Sequence, residues 1–181
     1  YVLSVSDKSY PTRRLTVEPR YVEPPPEVVE RIVREAERQT AIFATDTEER
    51  LWRGAWSRPV PGSATSAFGS RSVFNGQPRR PHSGADFRAA EGTPVTAPNG
   101  GTVVLSDDTY FSGGSVILDH GWGMYSYFAH LSKIEVREYD VVSQGEVVGL
   151  AGSTGRVTGP HLHWTLRLSG AQVDPLSVIE L

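Results

Sequence analysis

The sequence predicts a mainly β protein, an antiparallel β-sheet domain preceded by an extended segment and one helix. Three observations carry that expectation. From Arg58 onward, short apolar runs alternate with Gly, Asn, Asp and Ser turn residues, the texture of antiparallel strands joined by tight connections. A single stretch, 27 to about 43, has helical spacing. The first 26 residues alternate only weakly and end in Pro24-Pro25-Pro26, which suits extended chain and a stiff connector.

Taken in order, Tyr1, Leu3, Val5, Leu15 and Val17 give the weak alternation of the segment 1–26, which reads as the tail of an upstream region. A first residue of Tyr rather than Met fits a mature or trimmed piece of a longer precursor. The helix is predicted from Val28, Val29, Ile32, Val33 and Ala36 on one stripe, with Pro26 suited to the first turn. Glu27 with Arg31 and Glu30 with Arg34 add i,i+4 pairs, so residues 27–57 read as a helical linker or docking spacer. The domain proper is expected over 58–181. Candidate strands are Gly101 to Leu105, Ser115 to Asp119, Met124 to His130, Ile134 to Val136, Glu146 to Ala151 and His161 to Leu168.

Composition excludes more than it selects. A chain of 181 residues can bury one domain's core without staples. With 18 Lys plus Arg against 21 Asp plus Glu, no field demands nucleic acid or an anionic membrane as partner. No apolar run approaches the roughly 20 residues of a membrane span. Cysteine is absent, so any zinc here must be held by imidazole and carboxylate.

All five histidines, 82, 120, 130, 161 and 163, fall after residue 81. On the strand from His161 to Leu168, odd positions carry His, His, Thr and Arg, and even positions Leu, Trp, Leu and Leu. One face is therefore core and the other chemical. The two imidazoles are about 6.6 Å apart at the backbone from a rise near 3.3 Å per residue, close enough to serve one metal and its water. His82 and Asp86 offer a nitrogen and an oxygen four residues apart, with Pro81 and Gly84 favouring a loop. Alternation puts His130 on the face of Ser126 and Phe128, where it reads as a core-edge histidine or a functional one. His120, inside Asp119-His120-Gly121-Trp122-Gly123, reads as part of a hairpin turn.

Together these pieces resemble the LytM/lysostaphin-type zinc peptidases, the M23 family of cell-wall endopeptidases. The resemblance covers about Arg58 to Leu181. It rests on Phe68-Gly69-Ser70-Arg71, His82-Ser83-Gly84-Ala85-Asp86-Phe87, Asp119-His120-Gly121, Tyr127-Phe128-Ala129-His130-Leu131, Gly152-Ser153-Thr154-Gly155 with Thr158-Gly159-Pro160-His161-Leu162-His163, and Val173-Asp174-Pro175-Leu176. It implies one zinc held by His82, Asp86 and His163, with His130 and His161 as metal-free catalytic residues. Three protein ligands leave a fourth position for water, whose pKa zinc lowers to about 7. The resemblance further implies a β-sheet groove walled by loops, here 73–81 and 107–114; Arg71, Arg79 and Arg80 near its entrance read as a solvated face, the alternative being a contact for substrate carboxylates. The implied activity is hydrolysis of peptide cross-links in bacterial peptidoglycan, preferably D-alanyl bonds to a diamino acid, in the periplasm or cell envelope. The alternative is an inactive wall-binding or hydrolase-activating module of the same fold, and an upstream domain or regulator is a possible partner. Two positions depart from the family pattern: Tyr139-Asp140 where Gly-Asp is usual, and Thr165 where an acidic residue is usual two positions after His-x-His.

Overall fold

A computed structural model describes residues 9–179, so the alternation expected at Tyr1, Leu3 and Val5 lies outside the described residues. In chain order the elements are β1 (Thr12–Leu15), α1 (Pro26–Phe43), β2 (Ala64–Ser66), β3 (Arg71–Phe74), β4 (Gln77–Pro78), β5 (Ala85–Phe87), β6 (Pro94–Thr96), β7 (Gly101–Thr109), β8 (Gly113–Gly121), β9 (Met124–Ile134), β10 (Val141–Val142), β11 (Val147–Ala151), β12 (Leu162–Leu168) and β13 (Ala171–Val173). The main sheet runs β10-β7-β8-β9-β12-β5-β2, with β11 bridging β6 and β9 and β13 flanking β12. Its pairings are antiparallel, as the turn-rich texture predicts. Of the expected separate strand from Ile134 to Val136, only Ile134 is strand, as the last residue of β9.

Alternation along β8, β9 and β12 sends Val116, Leu118, Phe128, Leu162, Trp164 and Leu166 into one core, all essentially without solvent exposure. Side chains of Leu105, Ile117 and Tyr125 point to the opposite face of the sheet, where Ile42 and Phe43 from the end of α1 cover them. Phe43 meets Tyr125 edge-on at 5.5 Å, and the Tyr125 hydroxyl donates to Thr45 O at 2.6 Å. One end of that face is thus closed by the helix, while Tyr127 further along also lines an open cleft.

The helix starts at Pro26, as its ring geometry favours. Its expected apolar stripe is only half inward. Val29 and Val33 are each 47% exposed, because Glu35 rather than Ala36 turns toward the sheet and accepts from Tyr110 N at 2.9 Å. Arg31 pairs with Glu35 at 2.6 Å, not with Glu27, and Glu30 meets Arg34 at 2.5 Å. After Phe43 no helix continues through residue 57. There the chain is tied to the sheet by Trp122 N to Thr47 O (2.7 Å) and Leu51 N to His120 O (2.9 Å), and Trp56 enters the core.

Two expected loops are ordered hairpins. Residues 73–81 contain the second half of β3 and all of β4, joined at Asn75-Gly76, both with positive φ, as a two-residue turn between twisted strands demands. Residues 107–114 are the ends of β7 and β8 with a turn at 110–112. β1 adds to β3 in parallel, Thr12 opposite Arg71 and Leu15 opposite Phe74, so the first segment builds structure against the domain.

Candidate active site

β12 lies between β9 and β5, which puts His163 opposite Asp86 on one side and Ala129 on the other. Such close pairing of β5 with β12 requires Gly84, since a Cβ there would overlap the Trp164 carbonyl oxygen. His82 sits in the loop before β5, as expected from Pro81 and Gly84. Its Nε2 lies 3.0 Å from Asp86 Oδ1 and 3.0 Å from His163 Nδ1, and His163 Nδ1 is 2.9 Å from the same carboxylate oxygen. Three ligand atoms from two distant stretches of chain therefore point at one centre.

The other ring nitrogens set the protonation. His82 Nδ1 donates to Ala67 O at 3.1 Å, and His163 Nε2 lies 2.9 Å from the Thr165 hydroxyl, an acceptor for its proton when Nδ1 is free for an ion. Each ring turns its remaining nitrogen toward the shared centre, where it donates to Asp86 when protonated and offers a lone pair to an ion when not. Burial works against a charge on Asp86, but hydrogen bonds from His163 and His82 outweigh it and hold the carboxyl well below the usual carboxylate range. Burial likewise opposes charge on His82, while the Asp86 hydrogen bond and charge raise it above its ordinary value. His163, buried more deeply, is lowered by desolvation despite the same carboxylate. Two lone-pair imidazoles and an ionised carboxylate form a donor set suited to a divalent ion such as zinc.

His161 lies one residue before β12 and donates from Nδ1 to Gly159 O at 2.8 Å, with Nε2 3.9 Å from Asp86 Oδ1. His130 donates from Nδ1 to Thr154 O at 2.9 Å, and its ring centroid is 4.8 Å from that of His161 and 6.1 Å from that of His163. Its expected placement beside Ser126 and Phe128 is corrected. β9 carries a bulge between Phe128 and Leu131, and His130 takes φ +67°, so its side chain swings to the cleft shared with Tyr127. Burial, then the charges of His163 and His161, push its imidazole down to about 3.

His120 is elsewhere. It is fully buried under the sheet, donates from Nδ1 to Gly100 O at 2.7 Å, accepts from Ser126 Oγ at 2.9 Å, and packs edge-on against Trp56 at 4.8 Å. The hairpin turn itself is Trp122-Gly123, both at positive φ. Sequence reasoning missed Thr165 and Ser83, whose hydroxyls contact the His163 ring, and the carbonyls of Ala67, Thr154 and Gly159. No side-chain pattern marks a carbonyl. Thr165 shares the His163 face of β12 and was legible as such.

The cleft, about 860 Å³, is walled by the β3–β4 hairpin, the 110–112 turn, the 156–160 loop and β1. A model of peptidase family M23 matches residues 80–175, which contain all five cleft-side and core histidines. The chain belongs to peptidase family M23. Over 96 residues it is 43% identical to the peptidoglycan DD-endopeptidase ShyA of Vibrio cholerae, a match covering 53% of this chain and 22% of ShyA. The chain thus spans about a fifth of the length of that relative. Among solved structures, a peptidase M23 from Pseudomonas aeruginosa superposes with a TM-score of 0.77 at 42% identity, covering 85% of this chain and 63% of that one. A zinc-containing peptidase from Vibrio cholerae gives a TM-score of 0.63 at 31% identity, covering 67% and 39%. M23 members are zinc metallopeptidases, and the His–Asp–His group of this chain fits that cofactor.

Proposed function

We propose that this chain is the catalytic part of a zinc-dependent endopeptidase that hydrolyses peptide cross-links of bacterial peptidoglycan, at D-alanyl bonds to a diamino acid. The convergence of His82 Nε2, Asp86 Oδ1 and His163 Nδ1 within about 3 Å of one another, with two further imidazoles alongside, is the observation that carries this reading. The similarity to ShyA, a peptidoglycan DD-endopeptidase, supports the substrate class. In this reading 58–181 is the peptidase domain, 27–57 the linker that packs against it, and 1–26 the tail of an upstream region, of which Arg13, Leu15 and Val17 line the cleft. The site of action is the periplasm or cell envelope; among the described residues no helix is long and apolar enough to cross a membrane.

His82, Asp86 and His163 hold the metal, and Ala67 O and Thr165 Oγ1 fix the two rings. Zinc, when bound, polarises the scissile carbonyl and acidifies a water molecule. His161 and His130 both spend Nδ1–H on a backbone carbonyl, so both turn an unprotonated Nε2 to the cleft. The first proton movement is therefore from water to imidazole, and the second from that imidazolium to the leaving amine. We assign both movements to His161, whose Nε2 lies 3.9 Å from Asp86 Oδ1, and to His130 the holding of the attacking water or the leaving amine, whose hydrogen its unprotonated Nε2 accepts.

The test compares His82→Ala, Asp86→Ala, His130→Ala and His161→Ala by zinc content and by mass spectrometry of fragments from defined peptidoglycan. The first two lose zinc; the last two keep it and lose roughly 10²–10⁴ in turnover. Release only of glycine-bridge fragments would overturn the bond assignment, and full zinc in the Asp86 variant would remove that residue from the metal site.

A further inference from the structure

The cleft is charged in a way the whole chain is not. Against a net charge of −3 overall, its described lining carries five arginines (13, 79, 80, 88 and 156) and one acid, Asp86, which is committed to the two histidines. Two of the arginines stand apart by position. Arg79 lies three residues before His82, and Arg156 five before His161, so both sit in the segments that deliver the site histidines.

Both guanidinium groups flank one aromatic ring. Arg79 Cζ is 5.8 Å and Arg156 Cζ 5.3 Å from the Phe74 centroid, and Arg156 also lies 4.8 Å from the Phe111 centroid. Their donors are poorly used. Arg79 Nε is buried with no hydrogen-bond partner among the described residues, and its Nη2 reaches only Gln77 Oε1 at 3.5 Å. Arg156 Nη1 reaches only the Tyr21 carbonyl at 3.5 Å, and among the described residues neither arginine forms a salt bridge. Half-buried cations without a counter-ion cost free energy unless something else supplies it. Burial first, and then the neighbouring Arg79 charge, make the Arg156 guanidinium less basic than usual.

We propose that Arg79 and Arg156 form a carboxylate-binding subsite, taking a free carboxylate of the peptide that flanks the scissile bond. Planar guanidinium forks match a carboxylate in geometry and charge, and the Phe74 and Phe111 rings keep both forks in place before the ligand arrives. β1 and the chain to Tyr21 complete the cradle, so the N-terminal segment helps to select substrate. The proposal rests on the peptidase reading and names the group that the cleft recognises.

The experiment uses zinc-loaded chain and two probes: a cross-linked stem-peptide dimer with its carboxylates free, and the same dimer with the diamino-acid carboxyl amidated. The parent prefers the free acid in kcat/KM by roughly 10- to 100-fold, the range of a charge-assisted hydrogen-bonded pair. That preference collapses toward one in Arg79→Gln and in Arg156→Gln, recovers in part in Arg156→Lys, and survives in Arg34→Gln on the outer face of α1. Zinc content matching the parent shows that the variants are folded. Equal cleavage of both dimers by the parent, or an undiminished preference in both variants, overturns the subsite while leaving the peptidase reading intact. If the parent cleaves neither dimer, the peptidase reading fails, and calorimetric Kd values decide the subsite: tighter binding of the free acid lost in the Gln variants supports it, and equal binding overturns it.

Discussion

Thr165 shows how much of this site depends on a single hydroxyl. An acidic residue is the usual occupant of its position, and its absence put the support of the metal ligands in question. The structure answers with a 2.9 Å contact from His163 Nε2 to Thr165 Oγ1, itself 3.3 Å from Ser83 Oγ. A buried hydroxyl accepts the imidazole proton as a carboxylate would, without its charge. Thr165→Val keeps the shape and removes the acceptor, so zinc affinity is expected to fall roughly 10- to 100-fold with the fold unchanged. Competition with a chromogenic chelator measures it, and parent-like affinity would make the hydroxyl irrelevant to the metal. The other departure, Tyr139, is a turn residue at φ +74° and 83% exposed, where glycine is at ease. Its position concerns a turn and not the cleft.

At the scale of elements, β12 was the most legible, because strict alternation with large apolar residues on one face admits one register. β9 was not. Period-two counting runs correctly to Phe128 and then fails, since a bulge leaves no sequence mark beyond the histidine it redirects. The β3–β4 hairpin was hidden by Arg, Gln and Pro in strands too short for periodicity, although Asn75-Gly76 was a signal available to be read. His120 belongs to this scale too, joining β8, β9 and β12 through a chain from Trp164 Nε1 to Ser126 Oγ to its own Nε2. Desolvation lowers it to about 4. The unfolded chain, titrating near 6.5, therefore binds more protons between those values. Stability from this group is full above about pH 6.5 and is lost as pH falls toward 4, a change of roughly 3 kcal/mol. Denaturant titrations of metal-free protein should show a shallower loss over that window in His120→Gln; parallel curves would count against the assignment.

For the whole molecule, the sequence separated a β domain from what precedes it, and the packing joins them. α1 crosses to β7 and the loop after β9 through Arg31 with Asp108 at 3.3 Å, Arg38 with Asp107 at 2.9 Å, and Arg38 with Glu138. These exposed pairs contribute little, on the order of 0–1 kcal/mol each. The apolar contacts of Ile42 and Phe43, and then Trp52 and Trp56, carry more. Amphipathic spacing predicted the helix, but nothing local in 44–57 foretold that Trp56 would be 8% exposed against His120. Trp56→Ala is accordingly expected to cost about 3–5 kcal/mol, as for other large core truncations. Denaturant unfolding tests this, and a change under about 0.5 kcal/mol would return the segment to the role of a passive linker.

The central claim is that three side chains from two distant stretches grip one ion. Crystals of the zinc-loaded chain, measured on both sides of the zinc absorption edge, address it directly. The account predicts one strong anomalous peak about 2.0–2.2 Å from His82 Nε2, an Asp86 carboxylate oxygen and His163 Nδ1. A peak ligated by His130 or His161 in place of any of these, or no peak at this centre at full zinc loading, would contradict it.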